Sequence, residues 1–288
     1  MKAILAAVLS AFLLASPAAA KEPPAPPRGG NQEVPEKPKP PAEKPKEAER
    51  GEPGASIEVP KSVIDISKAN TYPNPNENAP ELQPSPLTKA LLKTANVPIE
   101  NPTLIRMLNE SVIHPSKFSI GYRARVYLGK WPLNYQSNKT SVNWEYKKVN
   151  ENRLDNRGSE QLQTMSYRQE RQIKVTGGLT ARVPDQREVM QLMLMKAAKE
   201  TDLPIAFSTV VGVGTKIDRY YNVQPKKVGY LSGYVPAVNE KGKVTYGEVY
   251  LVLDGGNKRL EVKNVMQQGI GAWIPVQDHI ALRYHVAN

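Results

Sequence analysis

Between Lys226 and Val276 the chain reads KKVGYLSGYVPAVNEKGKVTYGEVYLVLDGGNKRLEVKNVMQQGIGAWIPV, and apolar residues recur at alternate positions through most of it. A period of two marks strands that bury one face. Two turn signals divide the stretch into three antiparallel strands. Asn239-Glu240-Lys241-Gly242 suits a type I turn with Gly242 left-handed, which pairs Pro236 with Tyr246, Tyr234 with Glu248 and Ser232 with Tyr250. Asp254-Gly255-Gly256-Asn257 suits a two-residue primed turn. That register sets Leu251 opposite Leu260, Val249 opposite Val262, Glu248 opposite Lys263 and Tyr250 opposite Glu261. The two hairpins agree on their faces. Val249, Leu251, Leu260 and Val262 form a core side, and Tyr230, Tyr234, Tyr246 and Tyr250 form a tyrosine side with Glu248, Glu261 and Lys263 among them. Pro236 cannot donate to a ladder, which favours an edge position there.

The rest of the chain supports an α+β reading: a predominantly antiparallel, twisted sheet with a few packed helices. Ser85 before Pro86, and Asn101 before Pro102, mark two short helix starts. Asp185 with Glu188 resembles a capping box at the head of DQREVMQLMLMKAAKE, whose Met190, Met193, Leu194 and Ala197 form one stripe, widened by Val189 and Leu192, that reads as core. Ile120, Tyr122, Ala124, Val126 and Leu128 alternate inward against Arg123, Arg125 and Tyr127, and Val142, Trp144 and Tyr146 repeat the pattern. GKWPLNYQSNKTS between them reads as a loop, Gln161–Lys174 as a polar hairpin arm and Pro204–Lys216 as a buried strand.

Residues 1–20 have the layout of a signal peptide: Lys2, an apolar run to Ala15, and small residues at Ala18-Ala19-Ala20. The run is too short to span a bilayer, so cleavage leaves no stable membrane span. Residues 21–55 form a linker rich in proline, lysine and glutamate with no aromatic residue. It has almost nothing to bury, so disorder is expected, biased by proline toward a tether of up to roughly 100 Å. Seven positive and seven negative side chains cancel there, so nearly all of the net charge of +11 belongs to the domain at 56–288. A basic exported domain is drawn to polyanionic surfaces. Anionic cell-wall polymers or an envelope protein suit it as partners; nucleic acid does not.

Several long runs carry a resemblance to a known family. They are VIDISKANTYPNPNENAPELQPSPLTKALL, NPTLIRMLNES, YRARVYLGKWPLNY with NWEYKKVN and DNRG, GGLTARVP, and VNEKGKVTYGEVYLVL with QGIGAWIPVQDH. From about Val59 to His279 the chain resembles the YfkD-like family, uncharacterised exported proteins of Gram-positive spore-forming bacteria. The resemblance implies export and an extracytoplasmic role, and it brings no catalytic or binding residue with it.

Motifs for chemistry are absent. With no cysteine, thiolate metal sites and cysteine nucleophiles are excluded. His114, His279 and His285 have no metal-ligand spacing, GYLSGY lacks the nucleophile-elbow pattern at Ser232, and Gly212 with Gly214 is no dinucleotide fingerprint. No metal, cofactor or catalytic residue is assigned. Asp155, Glu248 and Asp278 are the carboxylates to inspect, each with a structural alternative as loop, cross-strand pair or turn. The tyrosine side (Tyr230, Tyr234, Tyr246, Tyr250, with Glu248) is the candidate binding face, since amphipathic rings among charges suit glycan and protein surfaces. The alternative is that another layer covers it. The expected function is therefore an envelope-associated, non-enzymatic binding protein. The alternatives are an envelope hydrolase using paired carboxylates, or a structural or assembly factor.

Overall fold

The computed structural model describes residues 57–75, 82–111 and 123–288. The signal-peptide and linker readings, His114, Ile120 and Tyr122 lie outside the described residues. In chain order the elements are β1 (Val63–Asp65), α1 (Pro86–Leu92), α2 (Pro102–Glu110), β2 (Arg123–Asp155), β3 (Gln163–Arg168), β4 (Ile173–Thr176), β5 (Gly178–Leu179), α3 (Gln186–Thr201), β6 (Ser208–Val211), β7 (Lys216–Val223), β8 (Val228–Asp254), β9 (Asn257–Pro275) and β10 (His279–Ala287). Every pairing is antiparallel. The principal sheet runs β1-β10-β8-β9-β5, with β2 along the opposite edge of β8; β3–β7 and β4–β6 are separate ribbons. The expectation of mostly antiparallel sheet with a few helices holds.

Strand β8 is 27 residues long and paired along both edges. Strand β2 accompanies it from Val228 to Asp254 on one side. On the other, β10 covers Val228–Tyr234 and β9 takes over from Ala237. Pro236 sits in the gap between those two partners, where no ladder donor is required, and its carbonyl accepts from the N–H of Val276 at 2.9 Å. Proline is thereby tolerated inside a central strand rather than at an edge.

The turn expected at Asn239–Gly242 does not exist. Those four residues lie in the middle of β8, each with a partner on both sides: Asn239 with Ser141 and Trp273, Glu240 with Thr140 and Ala272, Lys241 with Lys139 and Gly271, Gly242 with Ser137 and Ile270. Two ladders outweigh one local turn preference. Gly242 is required for a different reason than the one the turn suggested. A Cβ there would meet the Gln136 carbonyl at 2.1 Å and the Tyr135 hydroxyl at 2.5 Å. The segment GKWPLNYQSNKTS is likewise strand, not loop, because β2 runs through it against β8 with five register irregularities. The second hairpin has the expected register in full, from Glu248↔Lys263 to Asp254↔Asn257, with Gly255 at φ 59 in its turn.

Three core clusters line this sheet. Helices α1 and α2 pack Leu91, Leu104 and Leu108 on Val249, Leu251, Leu260 and Val262, the core side named from the sequence. Asn101 caps α2 by accepting from the N–H groups of Thr103 and Leu104, and Ser85 caps α1 by accepting from Thr88. Helix α3 packs Val189, Leu192, Met193, Leu194 and Ala197 on Val238, Val244, Tyr246, Ile270 and Ile274. Its Asp185 is left-handed at φ 50 and its side chain makes no cap, so the capping box does not form. The third cluster joins β3, β4, β6 and β7 to Leu231, Val235 and Ile280. The polar arm at 161–174 divides into β3 and β4, which pair with β7 and β6 rather than with each other. Ala124 is half-buried as an inward residue should be, but Val126 is 45% exposed. It lies near the open end of β2.

Gly242→Ala should destabilise the fold by about 2 kcal/mol, since the added methyl meets the Gln136 carbonyl of β2, which its ladder with β8 holds in place. Gly256→Ala, where a Cβ meets nothing within 4 Å, is its control. Urea unfolding midpoints check the pair.

Candidate functional site

Because β8 has no mid-strand turn, the four tyrosines are strung along one strand instead of folding onto one patch. Tyr230 to Tyr250 covers about 65 Å of strand contour. Tyr230 stacks on His285, ring centroids 4.9 Å apart and 7° from parallel. Tyr234 is half-buried opposite Ala281 of β10. Tyr246 is only 1% exposed, packed under α3, with its hydroxyl donating to the Pro184 carbonyl at 3.0 Å. Burial pushes its phenol up to about 12. Covering by a second layer thus applies to Tyr246, while Tyr250 remains at the surface.

Tyr250 is the centre of what survives as a site. Its partner across the β2–β8 ladder is Tyr127, which is 55% exposed, with ring centroids 5.2 Å apart and planes tilted by 45°. The Arg125 guanidinium carbon and Lys263 Nζ each lie 5.9 Å from the centroid of the Tyr250 ring. Glu261 accepts from Arg125 at 3.0 Å and sits 3.5 Å from Lys263, so it holds both cations beside the aromatic pair. The Tyr250 hydroxyl donates to Glu248 at 2.9 Å, which raises the phenol above its ordinary value. Bonds from Asn264 and Tyr250 hold Glu248 below the usual carboxylate range. Arg123 and Lys130 lie on the same end of β2, and Lys258 and Arg259 on the adjoining end of β9. Cations outnumber carboxylates there, and a half-open ring pair flanked by them can stack on a sugar or a planar group while attracting negative charge.

The other sequence candidates make structural contacts. Asp155 is bonded to Arg157 and Arg153, and Arg157 holds its carboxyl at about 2. Asp278 sits at φ 52 and accepts from the side-chain amides of Asn70 and Asn74, tying the chain near β1 to the turn before β10. His279 Nδ1 lies 2.7 Å from the Gln277 carbonyl. Among the described residues no three histidines and carboxylates converge as a metal site.

Two carboxylates do meet, and neither was among the candidates. Glu240 of β8 and Glu200 of α3 each lie 2.7 Å from the Thr140 hydroxyl oxygen. That hydroxyl has one hydrogen and can donate to only one of them. The second short contact needs a proton on a carboxyl. Glu240 is the fully buried one of the two, and desolvation raises its pKa despite bonds from Ser137, Thr140 and Tyr135. Tyr135 donates to Glu240 Oε1 at 2.9 Å, and burial with the facing carboxyl raises this phenol strongly. Lys196 Nζ lies 3.7 Å from Glu200 on its outer side. Glu240 lies beneath α3, while Glu200, on α3 itself, is partly exposed. A cavity of about 400 Å³, lined by Asn152, Arg168, Gln169, Glu170, Val213 and Gly214, includes neither carboxylate. The signal for Glu240 was present in the sequence, because Val238, Glu240, Gly242, Val244 and Tyr246 keep a single parity that a turn would interrupt.

Glu240 has its pKa raised in the fold, so wild-type stability falls as pH rises through and above the unfolded value of 4.5, until the folded pKa is passed. Glu240→Gln mimics the protonated form. It should gain on wild type over that window by at most about 1.4 kcal/mol per pH unit, read from urea titrations at several pH values. Parallel pH profiles for the two proteins would show that Glu240 is ionised in the fold.

Comparison with known proteins agrees with the sequence resemblance. A solved structure described as the crystal structure of a lamprey immune protein aligns over 57% of this chain, at a TM-score of 0.24 and 7% identity. The alignment spans only 53%, about half, of that protein, and a likeness this distant carries no argument. A Bacillus subtilis (strain 168) protein named "Uncharacterized protein YfkD" is 58% identical over 232 residues, covering 81% of this chain and 88% of the relative. The family described as YfkD-like protein matches residues 60–288, which include every element from β1 to β10, and the chain belongs to that family.

Proposed function

We propose that the protein is an exported, envelope-associated binding protein without catalysis of its own, and that it contacts anionic wall polymer through the Tyr127–Tyr250 pair. The observation that carries this reading is the half-open ring pair beside Arg125 and Lys263. An aromatic platform beside cations suits a sugar chain bearing negative charge. The positive charge of the domain, nearly all of the chain's net +11, supplies longer-range attraction to the same polymer. A signal peptide at residues 1–20 and a linker at 21–55 fit the same role, the linker as a spacer between the domain and its point of emergence.

The Glu240–Glu200 pair is the one observation that favours a carboxylate hydrolase. Its place in the fold weighs against that reading, because Glu240 is fully buried and only the Glu200 side of the pair reaches solvent.

Sedimentation of the mature protein with isolated cell walls tests the proposal. Binding should weaken steadily with added salt. Replacing both Tyr127 and Tyr250 with alanine should weaken it about tenfold at fixed salt, with the unfolding midpoint little changed. Failure to bind even at low ionic strength would overturn it.

A further inference from the structure

Strand β9 pairs with β8 on one side along nearly its whole length, but its outer edge is only partly covered. Near its start, the N–H of Leu260 donates to Thr94 Oγ1 at 2.9 Å and the N–H of Val262 donates to Asn96 Oδ1 at 2.8 Å. Asn96 Nδ2 donates back to the Val262 carbonyl at 3.0 Å. Near its end, the N–H of Gly271 donates to Thr180 Oγ1, the N–H of Thr180 donates to the Gly271 carbonyl, and β5 pairs with Ala272 and Trp273. Side chains and a two-residue strand thus clamp both ends. Between the clamps lie residues 263–270.

The edge is open there by construction. A bulge between the Tyr246 and Glu248 pairings shifts the parity of β9, moving the outward-facing backbone from Leu260 and Val262 to Gly271 and Trp273. By the same alternation the N–H and C=O groups of Gln267 and Gly269 face outward, and both residues are exposed. Among the described residues none bonds to these backbone groups on that edge. Val265 and Met266, each 47% exposed, stand beside them.

Natural sheets usually blunt such edges with charge, proline or bulges. Strand β2, the opposite edge, does so with five register irregularities, Pro132, Lys130, Lys139, Lys147 and Lys148. The stretch Asn264–Gly271, NVMQQGIG, contains neither charge nor proline. A second copy of this strand does not fit the gap. The gap admits about 26 Å of extended chain, whereas β9 has 19 residues and would run into the clamps. A short segment does fit. The surrounding charge selects its composition: Lys241 and Lys243 are exposed on β8 opposite Gly271 and Gly269, and Lys263 stands at one end. Nearby Glu261 is engaged by Arg125 and Lys263, and Glu240 is buried.

We propose that the outer edge of β9 from Lys263 to Ile270 is a strand-addition site for a short, extended, acidic segment of a partner protein. Backbone bonds from Gln267 and Gly269 supply affinity, and the lysines select acidic side chains at alternate positions. This surface is independent of the wall-polymer reading, and either can fail without the other.

The probe is a synthetic eight-residue peptide alternating threonine and glutamate, titrated into the full mature chain and followed by amide chemical shifts. Saturable shifts are expected at residues 263–271 and at Thr94, Asn96 and Thr180. Replacing the glutamates with lysine should weaken binding at least tenfold, and methylating alternate peptide nitrogens should abolish it. Gln267→Pro, which removes an outward N–H that the ladder with β8 does not use, should also weaken binding at least tenfold. No shift at a large excess of peptide would overturn the proposal. So would equal binding of the N-methylated peptide, or shifts centred on Tyr127 and Tyr250.

Discussion

The continuous pairing of β8 on both edges is the constraint from which the other features of this sheet follow. A strand of 27 residues stays extended only if each residue finds partners, and here β2 supplies one side while β10 and then β9 supply the other. The single place where the outer partner changes is where Pro236 stands. The glycine at 242 lets β2 approach closely enough to keep its ladder. The helices then cover what the three strands leave apolar: α1 and α2 at the hairpin end and α3 over the middle.

That covering explains how a glutamate comes to lie at the centre of the core. Once β8 runs straight through Asn239–Gly242, the parity of the strand directs Glu240 beneath α3. A charged carboxylate there would be very costly. The fold meets this with hydroxyls from Tyr135, Ser137 and Thr140, burial raises the pKa of the carboxyl, and Thr140 relays the contact to Glu200 on the helix. The same group that would pass for catalytic by its neighbours is a joint between helix and sheet by its burial.

The two surfaces suited to partners arise from the margins of the same sheet. At the hairpin end α1 and α2 cover only one face, so Tyr127 and Tyr250 keep their rings half-open beside Arg125 and Lys263. Along β9, a bulge and two side-chain clamps leave a bounded length of unpaired edge. Each surface depends on register, and neither is marked by a motif.

Local patterns were enough to determine the second hairpin, its four-residue core side, both short helices with their Ser85 and Asn101 caps, the core stripe of α3 apart from the half-buried Met190, and the family. Those features depend on residues close in the chain, where turn chemistry and periodicity act directly. The fate of NEKG, of GKWPLNYQSNKTS and of the tyrosines was decided only by the tertiary structure. A turn preference is a small local term, whereas a residue bonded on two sides of a sheet is held by partners about 30 and 100 residues away. Tyr246 and Tyr250 are four residues apart on one parity, and only the position of α3 buries the first and leaves the second open.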